Sequence, residues 1–227
     1  MLDLNVLSLY KEKISSYAKN VLDISTKSNI LSLFKIKKYT GKGITKNGNT
    51  KIDEKGIATI FKNLSDYVIT NVDIMDVKFP YEFQIKFKVS NKAEFNQLYL
   101  MSNKTYAYPY FELLTTNGRI VFESFINQYG DRHVFFSDSF DFKENQWYII
   151  NIKHEQKGIY ECTIYDEKYT ELYNKTQNSE YEITYHSDKI ILGNDIDYSH
   201  VGGATLQIDL SETYFKHDDT IISEWNL

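Results

Sequence analysis

Between Glu82 and Val89 the chain alternates without a break. Phe83, Ile85, Phe87 and Val89 are apolar, and Gln84, Lys86 and Lys88 between them are polar. A period of two puts the first set on one face of an extended strand and the second on the other. A strand with one dry face and one wet face belongs to an antiparallel sheet, because the strands of parallel sheets are buried on both faces. Strand-like runs follow at Gln97–Met101, Tyr110–Thr115, Arg119–Phe125, Val134–Phe136, Trp147–Lys153, Tyr160–Tyr165, Lys189–Leu192 and Leu206–Leu210. Turn material separates them, as at Lys143-Glu-Asn145 and Gln156-Lys-Gly158. Thr116-Asn-Gly118 carries the Asn-Gly pair that favours a tight hairpin, because both residues tolerate positive φ. The two prolines, Pro80 and Pro109, flank strands and leave the ladders intact. Many short strands with regular turn signals and no helix among them predict an all-β sandwich of two antiparallel sheets over residues 39–227.

The period is different before residue 39. Leu7, Tyr10, Ile14, Tyr17, Val21, Ile24 and Leu31 recur at alternating spacings of three and four, broken at Ser28. That is the a/d stripe of a short heptad pattern, with Asn5 placed to cap its start. Residues 1–38 are therefore expected to be helical, serving to dock or to oligomerise. A single amphipathic helix lying on its own domain, or two helices broken near Ser25-Thr26, are the alternatives.

Charge narrows the function classes. Lys and Arg total 26 against 31 Asp and Glu, a net of −5, and Arg119 and Arg132 are the two arginines. A nucleic-acid binder usually carries a basic face, so none is expected here. No window reaches the roughly 18 apolar residues of a membrane-spanning helix, so no membrane partner is expected. Met1–Lys13 lacks the charge and hydropathy layout of a signal peptide. On that reading, the glycosylation-type triplets at Asn63, Asn103 and Asn174 are chance matches. Cys162 is the single cysteine, so stability rests on packing rather than on a disulfide.

Particular residues also occur in a familiar order. Asp53-Glu-Lys-Gly56-Ile-Ala58-Thr-Ile-Phe61, followed by Asp66-Tyr67, resembles the opening of the laminin-G/concanavalin A-like jelly rolls of phage tail and receptor-binding proteins. Phe83–Val89 fits that family's next strand, and Phe142-Lys-Glu-Asn-Gln-Trp147-Tyr148 is similar to a later strand entry. Ile191-Leu-Gly193-Asn194 and Gln207-Ile-Asp-Leu210-Ser-Glu-Thr-Tyr214 resemble its closing segments. Together the fragments run from about Asn49 to Lys216; Leu206-Gln207 departs from the pattern, replacing a small residue. The resemblance implies a jelly roll of two antiparallel sheets with a role at the host-contact end of a tail. It transfers no ligand residues.

Chemistry is sparse. A glycoside hydrolase on this fold needs two carboxylates about 5 to 9 Å apart, supplied by alternate residues of one strand. No E-x-D-x-E triplet exists, Asp209 shares its face with Gln207 and Ser211, and Glu180 and Glu182 fall in a segment that reads as a loop. No G-x-S-x-G or H-E-x-x-H is present, and His133, His154, His186, His200 and His217 are scattered singly. No enzyme is expected, and no cofactor. Calcium is the one candidate ion, with Asn194, Asp195 and Asp197 clustered in one loop; an Asx-rich turn bonding its own backbone is the alternative.

The informative surplus is aromatic. Tyr106, Tyr108 and Tyr110 alternate around Pro109, Tyr129 and Arg132 flank Gly130-Asp131, and Tyr198 and His200 share a later loop. Rings that stack on sugar C–H faces, beside a few polar groups, are one way to build a ligand site. Tyr is equally suited to protein interfaces, and many of the 19 tyrosines can simply cover sheet surface. The expectation is a non-enzymatic virion protein of a phage tail or tail-like particle. Its jelly roll recognises a host-surface glycan or protein, and the chain contacts other tail proteins and forms a homo-oligomer, with a trimer as the guess. Such a chain is made in the host cytoplasm and ends in an extracellular particle. The alternatives are an assembly or decoration protein making only protein contacts, and a bacterial carbohydrate-binding module.

Overall fold

The computed structural model describes residues 39–61, 65–73, 80–90, 97–102, 110–116, 118–125, 131–179, 189–193, 205–218, 220–223 and 225. The N-terminal segment 1–38, read above as helical, lies outside them. Sixteen strands are described in two antiparallel sheets. One has seven strands: β1 (Ile44–Asn47), β4 (Tyr67–Asp73), β13 (Lys189–Leu192), β6 (Gln97–Ser102), β7 (Tyr110–Thr116), β8 (Arg119–Phe125) and β9 (Arg132–Ser139), in that spatial order. The other has nine. Its main path runs β12 (Glu171–Asn178), β11 (Ile159–Asp166), β10 (Trp147–Gln156), β5 (Tyr81–Ser90), β14 (Thr205–Asp209), β3 (Ile57–Ile60) and β2 (Lys51–Ile52). β15 (Tyr214–His217) also pairs with β5, and β16 (Thr220–Ile221) with β15.

The alternation that predicted β5 is what builds the sandwich. Tyr81, Phe83, Ile85, Phe87 and Val89 are all buried in one core with Ile150 and Ile152 of β10, Ile164 of β11 and Ile208 of β14. From the seven-stranded sheet come Val68, Leu100, Phe111, Leu113, Ile120, Phe122 and Phe135. Phe83 joins the layers: its ring lies 5.3 Å from Phe122, edge-on, and 6.4 Å from Phe111, both on the opposite sheet. Cys162 sits in this core, where burial pushes its thiol far above the ordinary range. In the native protein it is expected to resist thiol-labelling reagents until the chain is denatured, which a mass-shift assay in and out of urea checks.

Two fragments of the jelly-roll resemblance, distant in sequence, are strand neighbours. β3 pairs with β14 through Ile57↔Asp209 and Leu206↔Ile60, and the Leu210 amide donates to the Gly56 carbonyl at 2.9 Å. The departure at Leu206-Gln207 causes no bulge, since Leu206 pairs in register with both Ile60 and Val89. The Thr116–Arg119 hairpin forms as predicted, with Gly118 at φ +72.

The closing motif makes a seam across β5. β14 pairs with the Phe87–Ser90 half of β5 and β15 with the Tyr81–Gln84 half. A 3₁₀ turn, Leu210–Glu212, connects them, with the Asp209 carboxylate accepting from the Ser211 amide. Where β5 changes partner, the Lys86 amide is satisfied by Thr213 Oγ1 at 3.1 Å and the Gln84 side chain donates to the Glu212 carbonyl at 2.8 Å. Trp225, nearly fully buried, locks the seam by donating from Nε1 to the Thr213 carbonyl.

Candidate ligand-binding surfaces

The register shows where the predicted aromatic segments emerge. β6 ends at Ser102 and β7 begins at Tyr110, while Tyr110 pairs with Phe125 and Phe125 with Arg132. The connections carrying Tyr106, Tyr108 and Tyr129 therefore leave the same end of the seven-stranded sheet, although these three residues lie outside the described ones. Tyr110 and Arg132 stand at that end, two strands apart. Arg132 is half exposed and its Nη1 contacts both oxygens of Glu123, at 3.1 and 3.3 Å. Burial raises the pKa of Glu123, and the Arg132 charge works against that rise.

Tyr198 and His200, with the calcium candidates Asn194, Asp195 and Asp197, also lie outside the described residues. The segment that holds them leaves β13 at Gly193, whose amide donates to the Leu100 carbonyl and whose Cα packs beside Ile60. It rejoins at Thr205, which pairs with Ser90. Both anchors belong to the other end of the sandwich, because Ile60 and Val89 pair with Leu206 there while Phe83 packs on Phe111 at the Tyr110 end. The anchors of the predicted segments thus belong to two ends. Among the described residues, no group of three or more His, Cys, Asp or Glu is placed to hold a metal ion.

At the Tyr110 end, the nine-stranded sheet contributes an open cleft of about 360 Å³, lined by Pro80, Tyr81, Glu82, Lys153, Glu155, Lys216 and Asp218. Register sets Lys153, Glu82 and Lys216 of its lining side by side on three adjacent strands, and Glu161 extends this row of alternating charge onto β11 outside the cleft. Glu82 is the joint of this row. Its Oε1 accepts from Asn151 Nδ2 at 2.6 Å and from the Tyr214 hydroxyl, and Oε2 lies 3.9 Å from Lys216 Nζ. Burial, then the adjacent Glu82 charge, pushes the Tyr214 phenol far up, so it remains a proton donor. Glu82→Ala removes the acceptor these groups share, leaving part-buried donors without it. A loss of roughly 2 kcal/mol of stability is expected, measured by urea denaturation, with Glu82→Gln costing less.

The cleft continues onto the outer face of the nine-stranded sheet. One row further along lie Thr163, Asn151, Gln84 and Tyr214, and beyond it Tyr165, Ile149 and Lys86. Thr163, Asn151, Gln84 and Ile149 are all buried although they point away from the core. Tyr169, from the turn after β11, donates to Glu212 Oε2 at 2.7 Å, so this hydrogen bond passes over β10 and β5. Lys86 Nζ binds Glu212 at 2.6 Å and Asp209 at 3.3 Å; burial pulls its pKa down, and the two carboxylates outweigh that pull and hold it up. Lys88 and Lys86 flank the ring of Trp147 at 4.9 and 5.6 Å. The face is thus a fixed lattice of donors and acceptors engaged with one another and edged by aromatic rings. Sequence reading missed it because Glu82, Asn151, Tyr169 and Tyr214 are far apart along the chain; the polar half of the β5 alternation was its one local sign.

No protein-family model matches the chain, and no curated protein does. Solved structures do. The binding domain of botulinum neurotoxin serotype D is similar over 77% of this chain and 43% of its own, at 12% identity and a TM-score of 0.56. A botulinum neurotoxin type C structure, from a toxin whose cell entry is dependent upon interaction with two ganglioside molecules, matches over 78% and 43% at 10% identity and a TM-score of 0.58. A carbohydrate-binding module from Bacillus subtilis aligns over 77% and 95% at 10% identity and a TM-score of 0.49. The chain spans less than half the length of the toxin structures it matches, and at these identities the likeness establishes the fold, a jelly-roll-like sandwich of two antiparallel sheets.

Proposed function

We propose that this chain is a non-enzymatic recognition protein of a phage tail or tail-like particle, and that its jelly roll binds a host-surface glycan. The observation that carries the reading is the convergence at one end of the sandwich. Tyr110 and Arg132, the connections bearing Tyr106, Tyr108 and Tyr129, and the charged cleft beside Glu82 all belong to that end. The ordered tail-protein fragments, and the use of this fold in toxin binding domains, one of them from a toxin whose cell entry depends on two ganglioside molecules, support it. Tyr198 and His200, on the segment between Gly193 and Thr205, would make a separate contact, and Asn194, Asp195 and Asp197 of that segment are the residues that would hold calcium. The segment 1–38 docks to a tail neighbour or trimerises the chain, and several copies gain avidity from weak single-site sugar contacts.

A glycan array probed with the full chain tests this reading. Binding to host-wall glycans, reduced by Tyr106→Ala and Tyr129→Ala, is the expected result. Silence across the array, with the chain still incorporated into particles, contradicts recognition and points to an assembly protein.

A further inference from the structure

The turn joining β11 to β12 contains a residue that its backbone does not favour. Asp166 opens the turn: its carboxylate accepts from the Lys168 and Thr170 amides, both at 2.8 Å, and its carbonyl accepts from the Tyr169 amide. Tyr169 then sits at φ +62, the left-handed position where such a turn ordinarily carries glycine or asparagine. The other non-glycine residues at positive φ among those described, Asn145 and Asp218, are of the types that tolerate it. A bulky side chain held there is strained, and strain of this kind is retained where something else requires the residue.

Its surroundings indicate what that requirement is. Tyr169 is 51% exposed, and with Leu172 at 44% it supplies two of the three large exposed apolar residues among those described. The ring is nonetheless fixed, because its hydroxyl is tied to Glu212 and Tyr165 stands 6.1 Å away at 47°. An exposed ring immobilised before binding loses little entropy when a ligand settles on it.

We propose that Tyr169, cornered by Tyr165, is a stacking platform for a neutral pyranose ring, a second sugar site apart from the Tyr110 end. The proposal rests on the glycan-binding reading above. Neutral sugars are specified by charge: Asp166, Glu167 and Glu171 neighbour Tyr169 along the chain and Glu212 holds its hydroxyl, against Lys168 and Lys86, so an acidic sugar meets net repulsion.

The test is saturation-transfer NMR and titration of the full chain with methyl glycosides of glucose, galactose and N-acetylglucosamine, with glucuronate as the acidic control. A neutral glycoside is expected to bind and glucuronate to bind more weakly. Tyr169→Ala should lose roughly ten-fold in affinity, the equivalent of one aromatic contact, while Tyr169→Phe keeps it within about three-fold. Tyr169→Asn suits the left-handed backbone, and should melt close to the parent temperature while losing binding as Tyr169→Ala does. If binding survives Tyr169→Asn but is abolished by Tyr129→Ala, this platform is overturned and the glycan reading stands. If none of these sugars binds the parent chain and the array is also silent, both fall.

Discussion

Phe83→Ala is expected to cost about 3 to 5 kcal/mol of folding free energy, the range for emptying a buried aromatic site. The position is chosen by geometry. Phe83 is 1% exposed and lies within 6.1 to 6.4 Å of Phe215, Tyr81 and Phe111, with Phe122 edge-on at 5.3 Å. Two of those rings belong to the other sheet, so the cavity opens where the layers meet, and β strands on both sides resist collapsing into it. For a chain of this size the loss corresponds to a melting temperature lower by roughly 10 °C. Phe83→Leu refills part of the space and should recover more than half of it. A shift under about 1 kcal/mol for the alanine variant would contradict a single core shared by the two sheets.

The second large effect is acid lability centred on His154. The imidazole points into the core, 1% exposed, stacked at 4.3 Å on Tyr160 and 4.9 Å from Tyr81. Burial pushes its pKa down from 6.5 to about 4. The unfolded chain takes up a proton at its ordinary value and the folded chain resists until about pH 4. Stability is therefore complete above pH 6.5 and falls as the pH drops through that window, by on the order of 3 kcal/mol. His154→Phe keeps a ring in the aromatic stack and should flatten this part of the profile, measured by urea midpoints at successive pH values. Below it, Asp138 takes over. Its carboxylate accepts from Lys175 Nζ and the Tyr173 hydroxyl, both at 2.8 Å, and these hydrogen bonds hold it down near 2. Its contribution is lost only as the pH falls below about 4, and it is small because the pair is solvent-exposed. Glu123 acts in the opposite sense: burial raises its pKa, so the folded state gains on the unfolded one as the pH falls through that group's titration.

How much of this was legible in the chain depends on how local the cause is. Strands with one dry face declared themselves: the Glu82–Val89 alternation is β5 within a residue at either end, and Tyr160–Tyr165 is β11 nearly to its bounds. β12 was missed, because Glu171–Asn178 is an edge strand that is mostly exposed and offers no apolar period. β1 offers no pattern either, since it is four residues caught between Gly43 and Gly48. The partner change along β5 needed long-range pairing that no local pattern carries, although the motif Asp209–Tyr214 was noticed for its resemblance. The candidate surfaces divide in the same way. Tyr110 and Arg132 were legible as aromatic and charged residues beside turns, and register then placed them at one end. Tyr169 was not singled out, because a lone tyrosine in an acidic turn gives no hint that its backbone is left-handed or that Glu212 will hold its hydroxyl.

The central claim, that this sandwich recognises a sugar at named places on its surface, is tested most directly by amide chemical-shift mapping of the full chain, titrated with the strongest glycan from the array. The account predicts shifts concentrated at Tyr110, Phe125–Arg132 and Tyr165–Leu172. Shifts at none of these segments nor at Tyr198–His200, or a spectrum unmoved at saturating glycan, would contradict it.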